Sequence, residues 1–326
     1  YSELERIEYP NYLNEIEDIK KIIEVSGCLP LAIKWSASLA NSYKSLKAVS
    51  SQLRSQNITK KEFLEKYSLI IITILAIGAS ISTLLCRKFL DKKSFISLGL
   101  NWNKQALKDL LFGFLLSCLM AGSFYLLLNS LGLLDFIGFN FENIALNKSF
   151  DFVKFMNVIT IGSLGLMLIE HILVGYWEEL VFRGYIFQNM IDGIGLTSAI
   201  LISCFIYGII HYMNPNATIL SSIIIVGFGF LRIFGYLGTK MLWLSMGMHI
   251  GWNFFQGPIF GFSASGHKKS TLFQHTFKSE KDYLTGGEFG PEGSILIIPI
   301  LVLSLLIMKW YSDKYYRSKN VISNNL

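Results

Sequence analysis

Long apolar runs dominate the chain after residue 66, and short polar segments separate them. Residues 67–86 and 110–134 contain no charged residue, and each run is long enough to cross a bilayer, because a spanning helix needs about 20 residues. Further apolar runs begin near Phe152, Gly193, Thr218, Met241 and Ser294. The pattern predicts an all-α fold, a polytopic bundle of about seven transmembrane helices, with roughly six to eight compatible with the run lengths.

Composition agrees with a membrane protein. Of the 326 residues, 52% are hydrophobic and 16% are charged, whereas an ordinary soluble domain has about 25% charged residues. We expect an integral protein of a bacterial cytoplasmic membrane, or of a thylakoid or inner membrane. The net charge is +6, and basic residues cluster beside apolar runs, which predicts contact with membrane lipids and no nucleic-acid binding. Two such clusters are Arg87, Lys88, Lys92 and Lys93, and Lys309, Lys314, Arg317 and Lys319.

The polar segments suggest three parts. Residues 1–66 are mixed and polar, which predicts a soluble helical stub or the remnant of another domain. Residues 67–312 form the predicted membrane domain, and residues 313–326 a polar tail. The polar segment 263–293 is expected to be a solvated loop. The sequence predicts no oligomeric state.

Three apolar segments carry ionisable residues. Each such group costs at least about 2.5 to 3.5 kcal/mol at membrane depth, so intramembrane charges usually mark sites. The first segment, "WEELVFRG", places Glu179 and Arg183 at i and i+4, the spacing of an ion pair on one helix face. Glu178 lies about 100° away around the helix. The pair is therefore predicted to be structural, leaving Glu178 free for chemistry.

The other two segments are "YGIIH", with Tyr207 and His211, and "HIGWN", with His249 and Asn253. A lone histidine in such a helix is more often a polar contact between helices. Three polar sets on successive apolar segments instead predict one shared site.

The chemistry that suits this set is hydrolysis. Glu178 and His211 can hold and deprotonate a water molecule, while His249 and Asn253 can donate hydrogen bonds to a carbonyl oxyanion. Activation of the water by zinc bound to Glu178, His211 and His249 is the alternative, because glutamate and histidine are zinc ligands. The HExxH signature is absent, and the metal-free arrangement is favoured, with no cofactor required.

These motifs resemble those of the CPBP family of intramembrane proteases, also called Abi, which includes the type II CAAX prenyl endopeptidases. The family pattern is EExxxR, FxxxH and HxxxN on successive transmembrane helices. Here it stands as Glu178, Glu179 and Arg183, then Tyr207 and His211, then His249 and Asn253. Tyr207 replaces the family's phenylalanine.

The resemblance implies a helical membrane fold with a polar cavity open to a peptide. It also implies that Glu178 and His211 activate water and that His249 and Asn253 form the oxyanion site. The substrate would be a peptide or a membrane protein. Eukaryotic members of the family act on prenylated proteins, and some bacterial members are linked to bacteriocin self-immunity.

Two other classes of function stay open at this point. The first is a membrane scaffold or bacteriocin-immunity protein that keeps the fold but acts by binding without proteolysis. The second is a proton-coupled carrier, since acids and histidines in spans also relay protons. The carrier is the weaker alternative, because the sequence lacks a paired repeat of broken spans.

Overall fold

The structure, a computed structural model, describes residues 60–140, 161–268 and 271–317, apart from the side chains of 60–67, Ile161 and Arg317. Most of the predicted N-terminal stub, residues 1–66, and the tail beyond residue 317 lie outside the described residues. The contacts discussed below all join residues of one compact unit, Ile72–Leu326.

The described chain is mainly helical, and each apolar run within it forms a helix. In chain order the helices are α1 (Lys60–Phe89), α2 (Lys104–Ser130), α3 (Ile161–Glu179), α4 (Phe187–Ile194), α5 (Leu196–His211), α6 (Ile219–Thr239), α7 (Trp243–Phe254), α8 (Asp282–Thr285) and α9 (Ile297–Ser312). The all-α class is therefore confirmed.

Helix starts follow ordinary capping chemistry. The Asn103 side chain accepts hydrogen bonds from the first backbone amides of α2. At α6, Thr218 and Ser221 form a reciprocal capping box. Both devices satisfy backbone donors that the first helical turn leaves without partners.

Three of the described helices are long and apolar enough to cross a membrane: residues Ser68–Phe89 of α1, all of α2 and all of α6. Helix α5 is apolar but has 16 residues, and the runs near Met241 and Ser294 form helices of 12 and 16 residues. The start of the run near Phe152 lies outside the described residues. Most of the α6 window is buried (56%), against 11% for α1, so α6 is the internal span of the three. The chain is a membrane protein.

Helices α2 and α7 cross at very short distance because small residues line their contact. A Cβ atom on Gly247 would lie 2.1 Å from the Leu110 carbonyl oxygen, and one on Gly251 would lie 2.7 Å from that of Phe114. This GxxxG spacing lets two helix backbones touch, as it does in many membrane helix pairs. On the α3 side, a Cβ atom on Gly175 would lie 2.6 Å from the Ile250 side chain. Helix α7 is thus fixed between α2 and α3.

A two-stranded antiparallel sheet follows α2. Strand β1 (Leu134–Phe139) pairs with β2 (Phe273–Phe277), with Leu134 opposite Phe277 and an irregularity between Phe136 and Gly138. The sheet packs on aromatic residues of α2 and of the segment after α7, with Phe273 and Tyr125 at a ring-centroid distance of 5.5 Å. The expectation of a solvated loop over 263–293 is wrong for β2, because aromatic packing holds this strand against the bundle.

Candidate active site

The predicted polar residues come from separate elements that meet in the bundle. Glu178 and Glu179 end α3, and Arg183 lies in the π-helical segment Leu180–Ile186 that follows. Tyr207 and His211 lie on the last turn and a half of α5, and His249 and Asn253 on α7.

Glu179 is the fully buried member of the acid pair. Its Oε1 atom lies 3.3 Å from Arg183 Nη1 and 2.9 Å from His249 Nδ1. Arg232 Nε approaches the same oxygen at 3.8 Å. The contact between Glu179 and Arg183 expected from the i, i+4 spacing is therefore present, and Glu179 additionally binds the histidine of a second motif.

Glu178 has a different environment from its neighbour. Its side chain is 14% exposed, and its Oε2 atom accepts a hydrogen bond from the Tyr207 hydroxyl at 3.1 Å. The same oxygen lies 3.8 Å from His249 Nε2. The two glutamates thus hold opposite ring nitrogens of His249, and Glu178 keeps an accessible side.

Tyr207 lies at the centre of the cluster. Its hydroxyl accepts a short hydrogen bond from Arg232 Nη1 and donates to Glu178. The Arg183 guanidinium lies over its ring, 4.2 Å from the centroid, and the Phe182 ring packs against it edge-on. Such a cation over an aromatic face is attracted by the ring's negative face.

His211 follows Tyr207 by one turn of α5, as the spacing predicts. Its Nδ1 atom lies 2.7 Å from the Tyr207 carbonyl oxygen, and the two rings are 4.3 Å apart. Because a carbonyl oxygen is only an acceptor, Nδ1 carries a proton, and Nε2 of the neutral ring is left as an acceptor. His211 therefore meets Glu178 through Tyr207, which contacts both.

Asn253 is placed on the same helix as His249, one turn later. It is half-buried, and its amide makes no hydrogen bond to another residue of the described chain. An amide in that state has two donors available to a ligand. The structure thus joins Glu178, Glu179, Arg183, Tyr207 and His249 by direct contacts and adds His211 beside Tyr207. Among the described residues, the Asn253 side chain has no hydrogen bond to any of them.

The helices that carry Glu179 and Asn253 both change their winding next to these residues. Helix α3 passes into the π-helical segment Leu180–Ile186 after Glu179, and α7 passes into a second one, Phe255–Ile259, after Phe254. Short π-helical segments inside α-helices occur frequently at functional sites. The first segment contains Arg183, whose contact with Glu179 at i, i+4 is nevertheless kept.

Two residues of the site region do not belong to the predicted set. Arg232 is buried on α6, where it contacts Glu179 and Tyr207. The sequence could have indicated Arg232 as a site residue, because it is the only charged residue in the apolar sequence of α6. Glu292 is buried and accepts hydrogen bonds from Trp252 Nε1 at 2.8 Å and from the backbone and side chain of Ser265. It ties the segment before α9 to α7.

Acidic and basic side chains are paired in the site. Glu179 lies beside Arg183 and Arg232, and Arg232 also reaches Glu178 through the Tyr207 hydroxyl. The pairing matters here, because an unpaired ion in a low-dielectric interior is costly. Buried Glu292 adds a further carboxyl group near this cluster.

The zinc alternative finds no support in this geometry. Among the residues that the structure describes, no group of three histidine, cysteine, aspartate or glutamate side chains is arranged to hold a metal ion. Glu178, His211 and His249 are thus not brought together as three ligands in the part of the chain that the structure describes. The contacts of Nδ1 of His249 with Glu179 and of Nδ1 of His211 with a backbone carbonyl do not count against a metal, because metal-bound histidines usually make such contacts. The mechanism proposed below uses no metal.

Comparison with known proteins matches one segment of the chain. Residues 160–255 match the family model described as type II CAAX prenyl endopeptidase Rce1-like. No curated protein and no solved structure matches the chain. The matched segment contains the whole polar cluster from Glu178 to Asn253, including Arg232. The resemblance that the motifs predicted is thereby confirmed over residues 160–255, which are similar to the type II CAAX prenyl endopeptidase Rce1-like family.

Proposed function

We propose that this protein is an intramembrane endopeptidase that hydrolyses a peptide bond with water activated by Glu178 and His211. The observation that carries the proposal is the unequal pair of glutamates. Glu179 is fully buried and bound by Arg183 and His249, whereas Glu178 is partly accessible and is held through one oxygen. A base must be reachable by the water whose proton it takes.

In the proposed reaction, Glu178 takes a proton from a water molecule. The Nε2 atom of His211 orients this water by accepting a hydrogen bond from it. The water oxygen forms a bond to the carbonyl carbon of the peptide, and the carbonyl oxygen becomes an oxyanion. The carbon–nitrogen bond then breaks, and Glu178 returns its proton to the departing nitrogen. The products are a carboxylic acid and an amine.

The oxyanion would be stabilised by donors from α7. Asn253 offers an amide donor that needs no change of protonation. His249 can donate only under a further condition. Glu179 is an acceptor and so keeps a proton on Nδ1 of His249. Donation from Nε2 therefore requires the doubly protonated ring, which would stand between the carboxylates of Glu178 and Glu179 in the reacting state. Preorganised donors of this kind contribute about 3 to 4 kcal/mol each.

The family description supports a substrate at the C-terminus of a lipid-modified protein. An in vitro probe of that class is an internally quenched farnesylated peptide that ends in cysteine, two aliphatic residues and a variable residue. A membrane protein or peptide of another kind is the alternative substrate. A scaffold or immunity role without proteolysis remains the alternative function.

The decisive experiment compares membrane-protein C-termini, by mass spectrometry, between cells that make the wild-type protein and cells that make Glu178→Gln. The substitution keeps the shape of the side chain and its contact with Tyr207, but removes the base. We expect a set of shortened C-termini to disappear in the variant. If Glu178→Gln and Asn253→Ala both perform the cellular task normally, the proposed endopeptidase activity is wrong and the binding role is correct.

A further inference from the structure

The residue at the centre of the cluster, Tyr207, carries a hydroxyl that the FxxxH pattern does not require. This hydroxyl is fully enclosed, since Tyr207 is 2% exposed. It has one donor partner and one acceptor partner: Arg232 Nη1 donates to it, and it donates to Glu178 Oε2. A guanidinium group cannot accept a hydrogen bond, so the direction of this chain is fixed.

The direction of the chain decides what it does to Glu178. A carboxylate oxygen that accepts a hydrogen bond is held in one position, and a donor polarised by a cation holds it more strongly than an ordinary hydroxyl. Arg232 directs Nε to Glu179 and Nη1 to the Tyr207 hydroxyl, and the described residues include no ion pair between Arg232 and Glu178. Tyr207 therefore carries the influence of a positive charge on α6 to the accessible glutamate on α3.

We infer that Tyr207, held by Arg232, is a positioning residue that fixes the Glu178 carboxylate in the orientation of the base. This inference rests on the proposed function. It gives the two residues separate roles: Arg232 anchors and polarises the hydroxyl, and the hydroxyl orients the oxygen that faces His249. Neither residue touches the reacting atoms.

The ring of Tyr207 makes contacts of its own, so the role of the hydroxyl can be tested while the ring is kept. Arg183, Phe182 and His211 all contact the ring and not the hydroxyl. Tyr207→Phe keeps these contacts and removes the hydroxyl, which is both the donor to Glu178 and the acceptor of Arg232 Nη1. A matched control is Tyr176→Phe, because the Tyr176 hydroxyl on the same helix as Glu178 bonds Ser80 Oγ at 2.8 Å, away from the cluster.

The first test measures Glu178 directly and needs no substrate. Dicyclohexylcarbodiimide labels carboxyl groups within membranes, and mass spectrometry of the intact, detergent-solubilised protein maps the label, with Glu178→Gln as the blank. We expect labelling of Glu178 to be about tenfold faster in Tyr207→Phe, because the carboxyl group loses the hydrogen bond that holds it in place. Tyr176→Phe should label at the wild-type rate. Equal rates in wild type and Tyr207→Phe would overturn the inference.

The second test uses the farnesylated probe peptide and separates kcat from KM. We expect Tyr207→Phe to lower kcat about tenfold with KM unchanged, a split that a merely structural role would not produce. The thermal midpoint should fall as well, because Arg232 Nη1 loses its buried acceptor. Arg232→Gln should cost less in the Tyr207→Phe background than in the wild type, because the hydroxyl that transmits its effect is already gone. Equal costs in the two backgrounds would contradict the chain from Arg232 to Glu178.

The outcomes separate the two proposals. If Glu178→Gln keeps full cleavage, the proposed function fails regardless of Tyr207. If Glu178→Gln abolishes cleavage while Tyr207→Phe leaves both kcat and the labelling rate at wild-type values, only the positioning role fails.

Discussion

His249 Nδ1 lies 2.9 Å from Glu179 Oε1, so the glutamate assigned to an ion pair also fixes the histidine of another helix. This contact joins α3 to α7 at the centre of the site. The contact with His249 gives the buried Glu179 carboxylate a role beyond its pairing with Arg183. Glu179 serves the site by holding His249 in one orientation, with Nε2 toward Glu178.

Replacing Glu179 should therefore affect both folding and turnover. Glu179→Ala leaves Arg183 and Arg232 without their buried acceptor, and we expect a loss of about 3 to 5 kcal/mol in the free energy of unfolding. Glu179→Gln keeps an acceptor for His249, so its kcat should exceed that of Glu179→Ala. Thermal unfolding in detergent and cleavage of the probe peptide measure the two effects. Lys93→Ala, which breaks an exposed pair with Asp192, is the control and should change the midpoint little.

Asn253→Ala should lower kcat about 100- to 1000-fold, the usual effect of removing an oxyanion donor. The thermal midpoint should stay at the wild-type value, because the Asn253 amide makes no hydrogen bond within the described residues. Asn129→Ala gives the opposite pattern as a control: its amide bonds the Leu134 carbonyl outside the site, so stability should fall and kcat should hold. Unchanged turnover in Asn253→Ala would exclude it from the oxyanion site.

Gly251→Ala tests the crossing of α2 and α7. The added methyl group would meet the Phe114 backbone at 2.7 and 2.9 Å, and backbone atoms cannot move aside cheaply. We expect a loss of about 1 to 3 kcal/mol, seen as a lower thermal midpoint, together with reduced activity because α7 carries His249 and Asn253. Gly165→Ala on α3 has open space around the new methyl group and should be neutral or slightly stabilising. Similar midpoints for the two variants would argue against the close crossing.

Chelation should leave the activity intact. The proposed reaction uses Glu178 as base and donors from α7, with no metal in any step. We expect purified protein treated with 1,10-phenanthroline and then dialysed to cleave the probe peptide at the untreated rate. Loss of cleavage that added zinc restores would show that the metal-free mechanism is wrong.

Acid should weaken the contact between β2 and the bundle. Burial among aromatic rings, together with the nearby positive charge of Lys268, lowers the pKa of His275 from 6.5 to about 4. The fold therefore favours the neutral ring, so the stabilisation is complete above pH 6.5 and is lost as the pH falls toward 4. We expect the thermal midpoint to drop across that range in the wild type and to drop less in His275→Phe. His267→Gln, at an exposed histidine, should follow the wild type.

The sequence predicted the helical class and most of the polar cluster because both depend on local spacing. Tyr207 and His211 share a face of α5, and Glu179 meets Arg183, as the i, i+4 rule requires. Arg232 was readable in principle as a lone charge in an apolar run, but its partners lie on α3 and α5, and spacing along one helix cannot find them.

The sheet and Glu292 were beyond such reasoning for different reasons. The residues of β1 continue an apolar run that begins in α2, so hydrophobicity alone does not separate strand from span. Glu292 lies in a glycine-rich polar segment whose composition indicates a loop. Its burial depends on Trp252 and Ser265, contacts of long sequence separation.

The π-helical segment Leu180–Ile186 has a consequence for how this protein can change over time. A π-helical turn holds about one residue more than an ordinary turn of 3.6 residues, so it takes up an extra residue while the helix after it nearly keeps its rotational phase. Deleting one residue there would restore ordinary winding and leave α4 in nearly the same orientation. Gln188, whose amide reaches the Leu98 carbonyl, would keep that contact, and Glu178 would stay in place. The length of chain between Glu178 and α4 can therefore change by one residue while both ends keep their contacts.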